Sequence, residues 1–175
     1  MRQTLRLHPD SRCAAVTSIE VEATRSRRGL LALHYVVTGT IRDLRLPPVT
    51  APERTDELWR HTCLEAFVRA PRGTGYLELN FAPSTQWAAY RFSGYREGMA
   101  VADEVSAPRI DVISSARCFE MQVALALPGD TPWRLGLSAV IEETSGVKSY
   151  WALAHPPGKP DFHHADCFAL ELAAT

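Results

Sequence analysis

Phe119-Glu-Met-Gln-Val-Ala-Leu-Ala-Leu127 decides the fold. Phe119, Met121, Val123, Leu125 and Leu127 alternate with Glu120, Gln122, Ala124 and Ala126. Successive side chains of a strand point to opposite faces, so this pattern marks a strand with one buried face. Trp133-Arg-Leu-Gly-Leu-Ser-Ala-Val-Ile141 repeats it through Trp133, Leu135, Leu137, Ala139 and Ile141. Gly29–Thr38 repeats it through Leu31, Leu33, Tyr35 and Val37. Shorter runs of the same kind lie at Ala15–Ala23, Thr62–Ala70, Gly75–Ala82, Gln86–Phe92, Arg109–Ser114 and Cys167–Leu172. Turn residues separate them at Pro71–Gly75, Pro83–Thr85, Pro128–Asp130 and Thr144–Gly146. Many short strands with regular turns predict an all-β antiparallel β-sandwich of roughly nine to eleven strands. Its core is expected to hold Leu31, Leu33, Val37, Leu79, Phe81, Met121, Val123, Leu125, Leu137 and Ile141, with Trp87 and Trp133 also buried. Ser93–Val105 leaves room for a turn or two of helix.

Composition narrows the function. The 175 residues are one domain's worth, spanning 1–175, and no repeat or linker divides them. With 19 Lys+Arg against 20 Asp+Glu there is no basic excess, which argues against nucleic acid as a partner. The longest uncharged apolar stretch, Leu30–Ile41, is far short of the roughly 20 residues of a membrane helix. No apolar segment of a secretory signal follows the first residues, so a cytoplasmic location is expected. Cys13, Cys63, Cys118 and Cys167 are scattered without a CxxC pair, and four free, mostly buried thiols are expected. No P-loop, GxSxG or GxGxxG sequence occurs.

The polar residues that interrupt the strands are more informative. Cys63, Glu65 and Phe67 fall on one face of their strand, opposite Leu64, Ala66 and Val68. Tyr76, Glu78 and Asn80 fall opposite Leu77, Leu79 and Phe81. If the two strands pair, Glu65, Glu78 and Asn80 share one face, with Arg91 on the next strand as their expected cation. Glu and Asn are depleted in strand interiors, so such a cluster is either a solvated face or a binding face. Two proline-rich loops, Asp43–Leu58 and Ala154–Ala165, stand out by length. The second, with the residues just before it, gathers Tyr150, Trp151, His155, Phe162, His163 and His164. Rigid aromatics beside carboxylates and amides suit a sugar, whose apolar ring face stacks while its hydroxyls are hydrogen-bonded. The expected ligand-binding set is Trp59, Glu65, Glu78, Asn80, Arg91, Tyr150, Trp151, His155 and His163. A metal site is not expected, because no HxH or HExxH spacing occurs.

The runs Leu58–Val68 and Tyr76–Pro83, with Tyr150-Trp151 and Phe162-His163 ahead of Phe168, resemble the DOMON-like family. That family is related to type 9 carbohydrate-binding modules and includes bacterial stand-alone proteins. The resemblance spans Thr55 to Leu172. It implies an immunoglobulin-like or jelly-roll-like sandwich with a ligand face on one sheet, holding a sugar or, in other relatives, haem. Glu65 matches the modules' glutamate, but the acidic residue that precedes it there is absent here. Their Asn-Pro appears as Asn80-Phe-Ala-Pro83, with two residues inserted. Trp151 is the candidate for one member of their aromatic pair, with Trp59 or Tyr150 as the second. The leading expectation is a non-catalytic module that binds a small carbohydrate or similar polyhydroxylated ligand, without a cofactor. Two alternatives are a cytochrome-like haem protein, with His155 or His163 opposed by Met99 or a second histidine (Met121 has core parity), and a hydrolase acting through Glu65 and Glu78.

Overall fold

The computed structural model describes residues 2–26, 29–127, 129 and 131–174. Pro128 and Asp130 of the expected turn lie outside the described residues. Twelve strands are present among them: β1 Arg2–Leu7, β2 Val16–Arg25, β3 Leu30–Gly39, β4 Cys63–Arg69, β5 Tyr76–Phe81, β6 Trp87–Phe92, β7 Ala100–Val101, β8 Arg109–Ser114, β9 Cys118–Ala126, β10 Trp133–Glu142, β11 Lys148–Ala152 and β12 Leu170–Leu172. They form an antiparallel β-sandwich. One sheet runs β1-β2-β3-β9-β8, the other β7-β6-β5-β4-β10-β11, with β12 beside β10. Every expected strand exists. The additional three are β1, β7 and β11. The first joins the sheets, pairing with β2 through Arg2–Leu5 and with β11 through Arg6–Leu7.

The first sheet is amphipathic, as its alternation requires. Ile19, Val21, Ala23, Leu31, Leu33, Tyr35, Val37, Phe119, Met121, Val123 and Leu125 point inward and are buried. They meet Leu64, Ala66, Leu79, Phe81, Leu135, Leu137, Ala139 and Ile141 from the second sheet in one cluster. All ten expected core residues belong to it, as do Trp87 and Trp133. Each large apolar side chain contributes on the order of 1.5–3 kcal/mol by leaving water.

The second sheet differs, because it is buried on both faces. Cys63 to Val68 are all buried, and so are Leu135 to Glu142. Its outer side carries a second apolar cluster of Phe67, Tyr76, Tyr90, Phe92, Val140, Phe162 and Phe168. The cover comes from the two proline-rich loops and the residues that directly follow them, among them Trp59 and Phe168. No helix forms over Ser93–Val105. Arg96 (φ 55°) and Gly98 (φ 63°) turn the chain back on itself, and Ala100–Val101 then adds the short edge strand β7. The four cysteines are free; Cys63 and Cys167 are buried, whereas Cys13 and Cys118 are half-buried.

One hydrogen bond crosses the sandwich at its centre. The fully buried Tyr35 hydroxyl donates to the main-chain oxygen of Glu65 at 2.9 Å. Tyr35→Phe removes that side chain's one polar atom and leaves the Glu65 oxygen short of a donor. Urea denaturation is expected to show a loss of about 1–2 kcal/mol with an unchanged m-value.

Candidate ligand-binding site

Strand register brings the polar residues together. Glu65 lies opposite Asn80 on β5 and opposite Ser138 on β10. Glu78 lies opposite Phe67 on one side and Tyr90 on the other. Glu65, Glu78 and Asn80 therefore share the outer face of the second sheet, as the alternation predicted. They are 2%, 5% and 0% exposed, so this is no solvated face. Ser138 Oγ donates to Glu65 Oε2 at 3.2 Å, and Asn80 Nδ2 donates to Glu78 Oε1 at 2.9 Å.

Above them opens a cleft of about 400 Å³, within the usual range of small-molecule sites. Glu65, Glu78 and Phe67 form its floor. Trp59, Phe92, Tyr150 and Phe162 form apolar walls, and Arg96, Met99 and His163 complete it. Trp59 stands edge-on to Tyr90, with ring centroids 5.7 Å apart. Tyr90 in turn donates to Asp56 at 2.6 Å, which ties the first proline-rich loop to the sheet. Asp161 ties down the second: Arg96 Nη2 donates to it at 2.8 Å, and so do the Tyr95 hydroxyl and the His163 main-chain N–H.

His163 is packed among Phe67, Tyr76 and Phe92. Burial, reinforced by the nearby Arg96 charge, pushes its pKa down to about 4, so it is neutral at pH 7. The Arg96 main-chain N–H donates to the Tyr76 hydroxyl. That hydroxyl's own proton then goes to His163 Nδ1, 2.7 Å away. Nε2 keeps the ring proton and turns it toward Glu78 Oε2, 3.7 Å away. This is a dipolar contact, not an ion pair, because the imidazole is uncharged.

Both carboxyls bind protons more tightly than usual. Burial raises Glu65 well above the carboxylate range, and the neighbouring Glu78 raises it further. Burial also raises Glu78, against the lowering effect of Asn80 and Arg96. The floor thus presents carboxyl groups in a desolvated setting, able to donate or accept hydrogen bonds.

Not all the expected residues gather here. Trp151 faces the other way. It lies opposite Ala139, joins the central core, and donates its indole N–H to Ser149. Tyr150, one residue earlier, is the one that faces the cleft. Arg91 lies opposite Leu77 on the core-facing parity, emerges at the sheet end, and pairs with Glu104 at 3.3 Å. The expected Glu78–Arg91 pair therefore does not form. His155 lies outside the cleft, with Nε2 2.8 Å from the Arg6 oxygen and its ring edge-on to His8. Met121 is fully buried in the central core, whereas Met99 is half-exposed at the cleft. The sequence reading missed Arg96, Phe67 and Phe92 as lining residues. Parity carried the signal for Phe67, which alternates in step with Glu65. Nothing local marked Arg96.

No family model matches the chain, and no curated protein matches it in sequence. Solved structures do match it in shape. A candidate carbohydrate-binding protein from Bacteroides uniformis superposes with a TM-score of 0.69 at 14% identity, covering 95% of this chain and 83% of its own. A family 9 carbohydrate-binding module from Caldicellulosiruptor kristjanssonii, in complex with cellotriose, gives 0.53 at 12% identity, covering 90% and 74%. The chain is similar to both in fold.

The buried ionisable groups set a pH dependence with a defined sign. Glu65 holds its proton more tightly folded than unfolded. Its stabilising contribution is complete below the ordinary carboxylate range and is lost as pH rises toward the raised folded value. His163 runs the other way. Its contribution is complete above its ordinary pKa of 6.5 and is lost as pH falls toward about 4. Thermal unfolding of Glu65→Gln against the parent should shift in the variant's favour between pH 5 and pH 8. A difference independent of pH contradicts a buried, protonated Glu65.

Proposed function

We propose that this cleft binds a small carbohydrate or similar polyhydroxylated ligand, and that the protein acts as a binding module rather than a catalyst. One observation carries the reading. The same cleft joins aromatic walls at Trp59, Tyr150 and Phe162 to a floor of buried hydrogen-bonding groups at Glu65 and Glu78. Stacking on the walls removes the apolar face of a pyranose from water, while the floor meets its hydroxyls. The fold agrees, since the two similar structures are a candidate carbohydrate-binding protein and a module holding cellotriose. The resemblance of Leu58–Val68 and Tyr76–Pro83 to the DOMON-like relatives of such modules points the same way.

Affinity for a single sugar unit should be weak, on the order of micromolar to millimolar, because hydroxyls exchange water partners for protein partners with little net gain. Trp59 lines the cleft and should report binding by its fluorescence. Titration with mono- and oligosaccharides is expected to give a saturable change. Trp59→Ala and Tyr150→Ala should each weaken binding roughly tenfold or more, since an aromatic contact is worth about 0.5–1.5 kcal/mol beyond its buried area. Their melting temperatures should move by only a few degrees, because both side chains are half-buried. No response to any sugar at millimolar concentration would overturn the reading.

A further inference from the structure

Among the described residues, no lysine or arginine pairs directly with the carboxyls of the cleft floor, and Arg96 acts on Glu78 only from a distance. Glu65 and Glu78 sit diagonally across β4 and β5, both almost wholly buried. Within 4 Å of either carboxyl, the basic group among the described residues is His163, which is neutral. Arg96 reaches the cleft, but its guanidinium is engaged by Asp161. Arg91 is turned away toward Glu104. Asn80 adds an independent observation. It lies between the two glutamates on the same face and is fully buried. Its amide N–H₂ donates to Glu78, while its Oδ1 has no hydrogen-bond partner. Once a carboxyl ionises, the floor offers acceptors with no cation paired to it, and the unpaired Asn80 oxygen lies just beneath.

The walls supply the complement. Ring faces carry negative potential, and a cation enclosed by several of them is stabilised, more so out of water. A carboxylate below and aromatic rings around form the environment that recognises an organic ammonium. A buried carboxylate gains most from a cation that also satisfies its hydrogen bonds.

We propose that the cleft selects a ligand bearing a primary ammonium group over its neutral counterpart; on the carbohydrate reading above, that ligand is an amino sugar. The inference rests on that reading for the sugar ring and on Glu65 and Glu78, with the unpaired Asn80 oxygen beside them, for the charge. The ammonium donates to the carboxyl oxygens while the ring lies against Trp59 and Tyr150. No covalent step is involved. One carboxyl ionises as the ammonium enters, and its proton passes to buffer.

The test is calorimetric titration at pH 7 with four probes: glucosamine, glucose, N-acetylglucosamine and n-propylammonium. Glucosamine should bind at least tenfold more tightly than glucose and N-acetylglucosamine. In Glu78→Gln that ratio should fall toward one. Glu65→Gln serves as the second variant, and unfolding curves check both. Equal or weaker binding of glucosamine overturns the inference and leaves the carbohydrate reading standing. A preference that survives both substitutions also overturns it. Binding of propylammonium and glucosamine without any response to glucose or N-acetylglucosamine supports the cation site and overturns the neutral-sugar reading. No binding by any probe overturns both.

Discussion

A sheet buried on both faces constrains everything else in this molecule. The inner face of the second sheet packs on the first, as in any sandwich. Its outer face is covered by the segments over 55–61 and 153–168. Aromatic side chains do the covering: Phe162 and Phe168 from one loop, Trp59 from the other, on Phe67, Tyr76, Tyr90 and Phe92 of the sheet. Polar groups in such a layer must find partners, because an unpaired buried polar atom costs about 1–3 kcal/mol. Asn80, Glu78, His163 and Tyr76 accordingly pass contacts from one to the next, while Ser138 donates to Glu65.

That layer makes the cleft part of a second core. His163 is both a packing element and a polar group of the site, and its neutrality follows from the packing. The two glutamates sit where two charges would repel each other, so Glu65 holds its proton more tightly for having Glu78 beside it. Tyr35 reaches the same strand from the opposite sheet and fixes the main chain of Glu65 itself. Position and protonation of this residue are thus set from both sides of the sandwich.

The fold was legible because period-two alternation needs no knowledge of neighbours. Phe119–Leu127 declares its own buried face. The site was legible only in part. Glu65, Glu78 and Asn80 could be placed together because alternation within β4 and β5 assigns faces once the strands pair. Arg91 failed the same rule: it shares the parity of Trp87, whose burial already pointed it toward the core side. Trp151 was harder. Tyr150 and Trp151 necessarily point in opposite directions, but which one reaches the cleft depends on the register of β11 against β10, set by Ala139 opposite Trp151. His155 and His163 sit in one proline-rich loop. Only tertiary contacts, with His8 for the first and Tyr76 for the second, separate their surroundings. Arg96 lies in a turn whose shape depends on two left-handed residues, which periodicity does not address.

Strand β1 carries an implication of a mechanical kind. Its first half is laced to β2 and its second half to β11, so one short ribbon spans the seam between the layers. Its last rung sets Leu7 opposite Trp151, and the His8 N–H continues the ladder to the Tyr150 oxygen. The main chain at Arg2 is therefore continuous, along a single strand, with the ladder that holds one wall of the cleft. The seam has the form of a tendon, one strand anchored in the first layer at one end and beside the cleft wall of the second layer at the other.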